Sequence, residues 1–241
     1  MTKNRDREQG DPREAPAYGL PEAAHYLDLP VATLRSWVLG RPYETRLGPQ
    51  IWKAVVVPPE ANLRQLSFIN LIEAHVLAAI RRIHGVQFAK IRSALEYVLQ
   101  EIPSAHPLAE RDFETNGKDL FIERYGKLVN ASQQGQQAIR EVLADFLTRI
   151  DRDPEGVAAR LYPFTRRGRP TAELRTAPRL VVIDPRVSFG RPVLKGTGIQ
   201  TSVVLNRFLA GDSPEELAED YGRPRGEIDE AIRWEIHPKA A

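Results

Sequence analysis

The residues best suited to chemistry in this sequence lie on a short predicted helix near the N-terminus. Pro21-Glu22 begins one helix, and Asp28-Leu29-Pro30 forms a turn before a second helix. In the second helix apolar residues recur at intervals of three and four, which directs Val31, Leu34 and Val38 inward. The side chains expected to face solvent are Thr33, Arg35, Ser36 and Trp37. This set suits DNA, because guanidinium groups bind guanine or phosphate, hydroxyls bind phosphate, and an aromatic ring packs on the sugar backbone.

A basic segment follows these two helices and extends the same predicted surface. Residues 40–59 contain turn residues and then an apolar strand, Ile51 to Val57, and this pattern predicts a β-hairpin wing. A wing of this kind lies over the sugar-phosphate backbone, where cationic side chains add salt-dependent affinity. Its candidate contacts are Arg41, Tyr43 and Arg46. The alternative is a solvated loop with ordinary surface arginines.

The last quarter of the chain predicts a second helix-turn-helix unit. An apolar strand, Val181 to Ile183, runs into a segment punctuated by glycine and proline. Three short helices are then expected, at Ser202 to Leu209, from Ser213-Pro214 to Tyr221, and at Arg225 to Ile236. The candidate phosphate contacts of this unit are Arg191, Lys195, Arg223 and Arg225. The alternative is a protein-binding or dimerisation module that has lost DNA binding.

A basic linker, residues 165–178, precedes this unit. Its Arg-Gly-Arg-Pro core, with Arg167 and Arg169, resembles an AT-hook, in which arginines enter the narrow minor groove of A·T-rich DNA. The same Gly-Arg-Pro sequence occurs at Gly40, Gly190 and Gly222, inside segments that we expect to be folded. Turn formation is therefore the favoured interpretation of this linker, and minor-groove binding is the alternative.

Two segments resemble known families. Residues 184–222 resemble a small bacterial domain-of-unknown-function family that is filed among VapB-type antitoxins and encoded beside PIN-like ribonuclease toxins. The matching residues are Asp184-Pro185, Gly190-Arg191-Pro192, Lys195-Gly196-Thr197, Ala210-Gly211-Asp212-Ser213 and Tyr221. The family usually has arginine after Gly-Thr, where this chain has Gly198, so no role for that arginine carries over. The resemblance implies a PIN-like, VapC-type toxin as a protein partner.

The N-terminal segment resembles the MerR-type DNA-binding domain. That family shares an alanine-rich first helix followed by a Thr-Leu-Arg sequence, which is Thr33-Leu34-Arg35 here. The resemblance implies a winged helix-turn-helix. Because such units usually bind two half-sites of a DNA operator, we expect a homodimer.

Five regions are predicted along the chain. Residues 1–16 are polar and predict a disordered arm, and 17–102 form the winged domain, completed by two long helices at 64–84 and 86–101. A small middle α+β region spans 103–164, the basic linker spans 165–178, and the C-terminal three-helix domain spans 179–241. The expected fold class is therefore mainly α with small β elements.

The middle region contains three predicted elements. Phe113 to Ile122 predicts a β-hairpin, because Asn116-Gly117 suits the two left-handed positions of a type I′ turn, and Leu128-Val129 could extend its sheet. Gln136 to Ile150 predicts an amphipathic helix, and Ala158 to Phe164 predicts a last strand. We expect this region chiefly to join the two ends of the chain.

Composition limits the possible functions. The 241 residues carry a formal net charge of +2, contain no cysteine, and include five histidines without metal-ligand spacing. No nucleophile elbow or phosphate-binding loop motif is present, which argues against an enzyme and against a cofactor or metal. No apolar run approaches the length of a membrane helix, and the polar N-terminus lacks the apolar core of a signal peptide, so we expect a cytoplasmic protein.

Two functions of different classes fit these features. The first is an antitoxin that binds a PIN-like toxin and, as a homodimer on operator DNA, represses its own transcription. The second is a free-standing MerR-like transcriptional regulator that senses a small ligand.

Overall fold

The computed structural model describes residues 10–45, 48–60, 62, 64–82, 88–101, 104–111, 113–165 and 174–236. Within these ranges the chain is mainly helical with small antiparallel strand pairs, which confirms the predicted fold class. The helices are α1 (Leu20–Tyr26), α2 (Val31–Leu39), α3 (Phe68–Arg81), α4 (Phe88–Glu101), α5 (Lys118–Val129), α6 (Gln133–Leu147), α7 (Thr201–Leu209), α8 (Pro214–Tyr221) and α9 (Arg225–Ile236). The strands are β1 (Tyr18–Gly19), β2 (Arg41–Thr45), β3 (Gly48–Trp52), β4 (Gln65–Leu66), β5 (Ile150–Arg152), β6 (Ala158–Leu161), β7 (Val181–Val182) and β8 (Val193–Leu194). They pair as β1 with β4, β2 with β3, β5 with β6 and β7 with β8.

The N-terminal unit has the predicted order of two short helices and a hairpin. Strands β2 and β3 are antiparallel, with Arg41 opposite Trp52 and Thr45 opposite Gly48. The predicted second strand ends at Trp52 rather than at Val57, because the backbone beyond it bonds to α2 instead of to β2. Strand β1 pairs with β4, which joins the start of the unit to the start of α3.

Residues 10–16, predicted as part of a disordered arm, are bound to the fold. Arg13 pairs with Asp11 at 2.6 Å and with Asp153 at 2.5 Å, and its carbonyl oxygen accepts a hydrogen bond from the amide of Ile69. No local sequence signal marks these contacts, because Ile69 and Asp153 lie far along the chain. Residues 1–9 are outside the described part of the chain.

Helix α3 is the centre of the molecule. Every residue from Phe68 to Ile80 is buried, as expected of a helix that is enclosed on all sides. It begins later than the sequence predicts, because Gln65 and Leu66 pair with β1 and the Ser67 hydroxyl caps the helix by accepting from the amide of Asn70. Helix α3 packs on α6, and α4 packs on α5. The hydrophobic core is therefore continuous across residue 102, where the sequence suggested a domain boundary.

The middle region is more helical than predicted. Residues Phe113–Gly117 form a π-helical turn that leads directly into α5, so the predicted hairpin at Asn116-Gly117 is wrong. The physical reason is burial: Phe113, Gly117, Phe121 and Tyr125 are buried at intervals of four residues, which is close to the period of a helix. Ile122, next to Phe121, widens this buried face. Leu128-Val129 ends α5 rather than extending a sheet, and Asn130 closes the helix in a left-handed conformation.

Two predictions for the middle region are confirmed in outline. The amphipathic helix is α6, shifted a few residues towards the N-terminus, with Ile139, Leu143 and Phe146 buried. The last predicted strand is β6, which pairs with β5 and then continues through an isolated bridge, Leu161 to Ile183, towards β7. A chain of backbone hydrogen bonds thus connects the middle region to the C-terminal domain.

The C-terminal domain contains the three predicted helices at nearly the predicted bounds. Their small core is formed by Leu194, Val204, Leu217, Ile228, Ala231 and Ile232. Arg207 holds α7 against the next helix through ion pairs of 2.6 Å to Asp212 and to Asp220. Ser213 caps α8 by accepting from the amide of Glu216 at 3.2 Å. Trp234 of α9 is buried in the main core of the molecule, and Ile236 is exposed.

Candidate nucleic-acid interface

Helix α2 presents only part of the predicted set of DNA contacts to solvent. Arg35 is exposed, and Ser36 is half-buried with its hydroxyl donating to the carbonyl of Thr33 at 2.7 Å. Thr33 and Trp37 are buried, with exposed fractions of 9% and 1%, so the expectation that they face a ligand is wrong. Leu34, Trp37 and Val38 lie at the spacing of one helix face, and this spacing was the signal that could have placed the indole in the core.

Trp37 instead fixes the hairpin relative to α2. Its carbonyl oxygen accepts hydrogen bonds from the amides of Val55 at 2.7 Å and Val56 at 3.1 Å, just beyond β3. The buried indole and these two bonds hold the strand that returns from the wing against the end of α2. The orientation of the wing relative to α2 is therefore fixed.

The wing carries Arg41 exposed at its base and Tyr43 half-buried. Arg46 lies outside the described residues. Behind the hairpin the guanidinium of Arg92, from α4, donates to the carbonyl of Lys53. Burial lowers the pKa of Arg92. This arginine was not singled out from the sequence, because a cation buried under a hairpin has no local sequence signal.

The turn between α1 and α2 is held from outside the unit. Asp28 adopts a left-handed backbone with φ of 54°, and its carboxylate pairs with Arg82, beyond the end of α3, at 2.8 Å. Aspartate is among the few residues with a side chain that adopt this conformation readily. The ion pair thereby links the turn to the central helix and fixes the angle at which α2 is presented.

The C-terminal candidates for phosphate contact are mostly paired with carboxylates of the same chain. Arg191 pairs with Glu22 of α1, and Arg223 pairs with Glu227 at 2.7 Å. Arg225 pairs with Glu215 and approaches Asp229 at 3.6 Å. Lys195 is exposed, and its ammonium lies 5.4 Å from the centroid of the Tyr162 ring.

The surface charge of this second unit is unfavourable for DNA. Residues 214–236, which form α8, the turn and α9, contain eight aspartates and glutamates against three arginines. A DNA duplex repels such a surface, because its own backbone carries dense negative charge. Charge therefore favours DNA more at α2 and the wing, where Arg35 and Arg41 are exposed, than at α8 and α9.

The C-terminal domain docks on α1 of the first unit. The hydroxyl of Tyr18 donates to the carbonyl of Gly190 at 3.1 Å, and Arg191 pairs with Glu22. The rings of Tyr26 and Trp234 stack with centroids 6.1 Å apart. Burial raises the pKa values of Tyr18 and Tyr26, so both phenols stay neutral. These contacts fall on β1 and α1, and they leave Arg35 of α2 exposed.

A buried arginine, Arg149, forms hydrogen bonds with the backbone on both sides of residues 166–173. The guanidinium of Arg149 donates to the carbonyls of Tyr162, Pro163, Ala177 and Pro178 at 2.8 to 3.1 Å. It also lies 4.7 Å from the centroid of Phe164, and burial lowers its pKa to about 10. The AT-hook-like residues Arg167 and Arg169 are outside the described residues.

Metal-ligating clusters and membrane-spanning helices were two further features to look for in the part of the chain that the structure describes. No group of three or more metal-ligating side chains occurs in the described ranges. Among the helices described, none has the length and apolar character needed to cross a membrane.

Comparison with known proteins finds one family model at each end of the chain. Residues 16–95 match the model described as "Putative DNA-binding HTH domain", and residues 181–234 match "Protein of unknown function (DUF433)". A curated relative, the "Putative antitoxin VapB45" of Mycobacterium tuberculosis, is 30% identical over 240 residues, covering 91% of this chain and 93% of the relative.

A solved structure has the same fold. The crystal structure of Rv2018 from Mycobacterium tuberculosis superimposes with a TM-score of 0.62 at 24% identity, covering 90% of this chain and 98% of that one. The chain therefore belongs to the family that includes VapB45, with a helix-turn-helix domain at its N-terminal end and a DUF433 domain at its C-terminal end.

Proposed function

We propose that the chain is the antitoxin of a type II toxin-antitoxin module, a non-catalytic protein that binds both operator DNA and a PIN-like, VapC-type ribonuclease toxin. The observation that carries this proposal is the docking of the C-terminal domain on α1 while Arg35 of α2 stays exposed. One chain thus contains a unit proposed to bind DNA and a second, acidic unit in contact with it. A protein that couples operator binding to toxin binding requires such a contact.

The DNA is bound by α2 and the wing in this proposal. Arg35 and Ser36 lie on α2, and Arg41 and Tyr43 lie on the hairpin that Trp37 holds beside it. In a winged helix-turn-helix of the MerR-like kind, the helix enters the major groove and the wing follows the sugar-phosphate backbone. A homodimer places two copies of α2 about one helical turn of DNA apart, roughly 34 Å, and represses transcription by occupying the operator.

The toxin is bound by the C-terminal domain in this proposal. The acidic surface of α8 and α9 repels nucleic acid and is complementary to a protein with a basic surface, which an RNA-cleaving partner needs for its own substrate. The relative named as a putative antitoxin extends over both domains. Because the domain rests on α1, toxin binding and operator binding share one structure and are expected to influence each other by linkage.

Co-expression tests the proposal. The tagged chain is produced together with the protein encoded beside it, purified, and applied to their shared promoter in a gel-shift assay. We expect a stable complex that shifts the promoter. Recovery of the chain without its neighbour contradicts the antitoxin function, and a promoter shift in that case favours a free-standing MerR-like regulator.

An Arg35→Ala variant is the matched control. It removes an exposed guanidinium without touching the C-terminal domain, so it should retain the neighbouring protein and lose the promoter shift. Loss of both activities would indicate that the two partners are not bound by separate domains.

A further inference from the structure

A cavity of about 580 Å³ lies where the middle region meets the C-terminal domain. Its walls come from β6, from β7 and β8, and from the turn that follows β8. Three valines, Val182, Val187 and Val193, give it an apolar lining. None of the contacts that dock the C-terminal domain on α1 uses these side chains.

Two cations lie over the ring of Tyr162, which lines this cavity: Lys195 is itself a lining residue, and Arg179 lies beside the cavity. The ammonium of Lys195 and the guanidinium of Arg179 lie 5.4 Å and 5.7 Å from the centroid of the Tyr162 ring. Neither makes an ion pair with any residue that the structure describes. The ring is 5% exposed, and its hydroxyl donates to the carboxylate of Asp151 at 2.9 Å. Tyr162 therefore gives both cations a fixed aromatic surface.

The carboxylate that lines the cavity is already neutralised. Asp184 accepts from the guanidinium of Arg160 at 2.9 Å and from the amide of Arg186 at 2.9 Å. A metal cation would have to displace this arginine, whereas an anion would meet Lys195 in the wall and Arg179 beside it, neither of which is paired with a carboxylate in the described ranges. The charge of the cavity therefore favours an anionic ligand.

The turn after β8 adds hydrogen-bond donors. Gly196 and Gly198 both line the cavity, and their backbone amides donate to no acceptor in the described ranges. Gly196 has a φ of +76°, and a Cβ placed on it would meet no atom within 4 Å. A ligand can thus approach the backbone closely, as phosphate groups do at glycine-rich turns.

We propose that this cavity binds a phosphate group, held by Lys195, Arg179 and the amides of the turn, with any apolar portion of the ligand against the valines. Two cations and two amide donors match the charge and the several acceptor oxygens of a phosphate monoester. The phosphate belongs either to a small molecule such as a nucleotide or to the backbone of bound DNA. Phosphate binding at this cavity requires neither a bound toxin nor a particular operator sequence.

Calorimetric titration of the full-length chain tests the site. The probes are adenosine monophosphate, adenosine as the uncharged control, and a non-operator duplex of about 20 base pairs at low salt. The variants are Lys195→Met and Lys127→Met. The second removes the same charge from an exposed helix position, where Lys127 pairs with Glu123. Arg179→Met provides a second variant at the cavity.

If the phosphate belongs to a small molecule, adenosine monophosphate should bind at least about tenfold more tightly than adenosine. Lys195→Met and Arg179→Met should then each weaken nucleotide binding about tenfold. If the phosphate belongs to the DNA backbone, the free nucleotide should not bind. In that case both cavity variants weaken duplex binding and lower its salt dependence by about one counterion, unlike Lys127→Met. Cavity variants that behave like Lys127→Met with both the nucleotide and the duplex would overturn the proposal.

Discussion

The phenol of Tyr18 donates a hydrogen bond of 3.1 Å to the carbonyl of Gly190, a residue 172 positions further along the chain. Gly190 has a φ of +75°, and a Cβ at this position would lie 2.2 Å from the Tyr18 oxygen. Only glycine satisfies both the left-handed backbone and the close approach. Together with the ion pair between Glu22 and Arg191, this contact fixes the C-terminal domain on the helix-turn-helix domain.

Gly190→Ala should therefore destabilise the protein by roughly 1–3 kcal/mol, because the new methyl group meets the phenol and the backbone is strained. Urea unfolding measures this cost. In a Tyr18→Phe background the closest clashing atom is gone, so the same substitution should cost less. An equal cost in both backgrounds would show that the two residues are not in contact.

Trp37→Ala should lower the free energy of unfolding by about 3–5 kcal/mol, because it removes a buried indole and leaves a cavity. Leu39→Ala, on the same helix but 42% exposed, is the control and should change stability by no more than about 0.5 kcal/mol. Chemical denaturation distinguishes the two. A Trp37→Ala variant that is as stable as the wild type but defective in DNA binding would show that the indole contacts DNA and does not support the fold.

Leu217→Asp should unfold the C-terminal domain, because it buries a carboxylate without a partner in the core of α7, α8 and α9. Val203→Asp on α7 is the control, since Val203 is 44% exposed and its replacement leaves the carboxylate in water. Proton NMR reports whether the resonances of the domain remain dispersed. A well-dispersed spectrum of the Leu217→Asp variant would contradict the assigned core.

His75 should make the protein sensitive to mild acid. Burial lowers its pKa from 6.5 to about 3, and its Nε2 lies 3.1 Å from the carbonyl oxygen of Phe146. The unfolded chain binds a proton below pH 6.5 that the folded chain resists, so stability falls as the pH is lowered through this window. At pH 5 the loss is on the order of 2 kcal/mol.

A His75→Gln variant tests this acid sensitivity. Its amide can still donate to the carbonyl of Phe146 but cannot titrate, so its stability should vary less between pH 7.5 and pH 5. His106 acts in the opposite direction: the Glu73 carboxylate, 3.3 Å from its Nδ1, raises its pKa, and that stabilisation is lost as the pH rises through the raised value. Equal pH profiles for the wild type and the Gln variant would exclude His75 as the cause.

The end domains could be predicted from the sequence because their signals are local. The Ser213-Pro214 cap and the apolar spacing that follows it define α8, and the turn at Asp28 to Pro30 separates α1 from α2. The middle region could not be predicted in the same way. At Asn116-Gly117 the turn preference of two residues was outweighed by burial of Phe113 and Phe121 on one helical face.

The candidate site was only partly predictable for a similar reason. Arg35 was placed correctly on the outer face of α2, because exposure follows from helical spacing. The partners that decide whether an arginine is available, such as Glu22 for Arg191 and Glu215 for Arg225, depend on tertiary packing. No spacing within the sequence reveals those pairs.

We propose that operator DNA is bound by α2 of the N-terminal domain and not by the acidic C-terminal helices. Fluorescence anisotropy with the promoter duplex, comparing wild type, Arg35→Ala and Arg225→Ala at one salt concentration, tests it most directly. We expect Arg35→Ala to lose about 1–3 kcal/mol of binding free energy, or roughly tenfold to a hundredfold in affinity, and Arg225→Ala to lose almost none. Undiminished binding by Arg35→Ala, or a larger loss in Arg225→Ala, would show that α2 does not bind the operator.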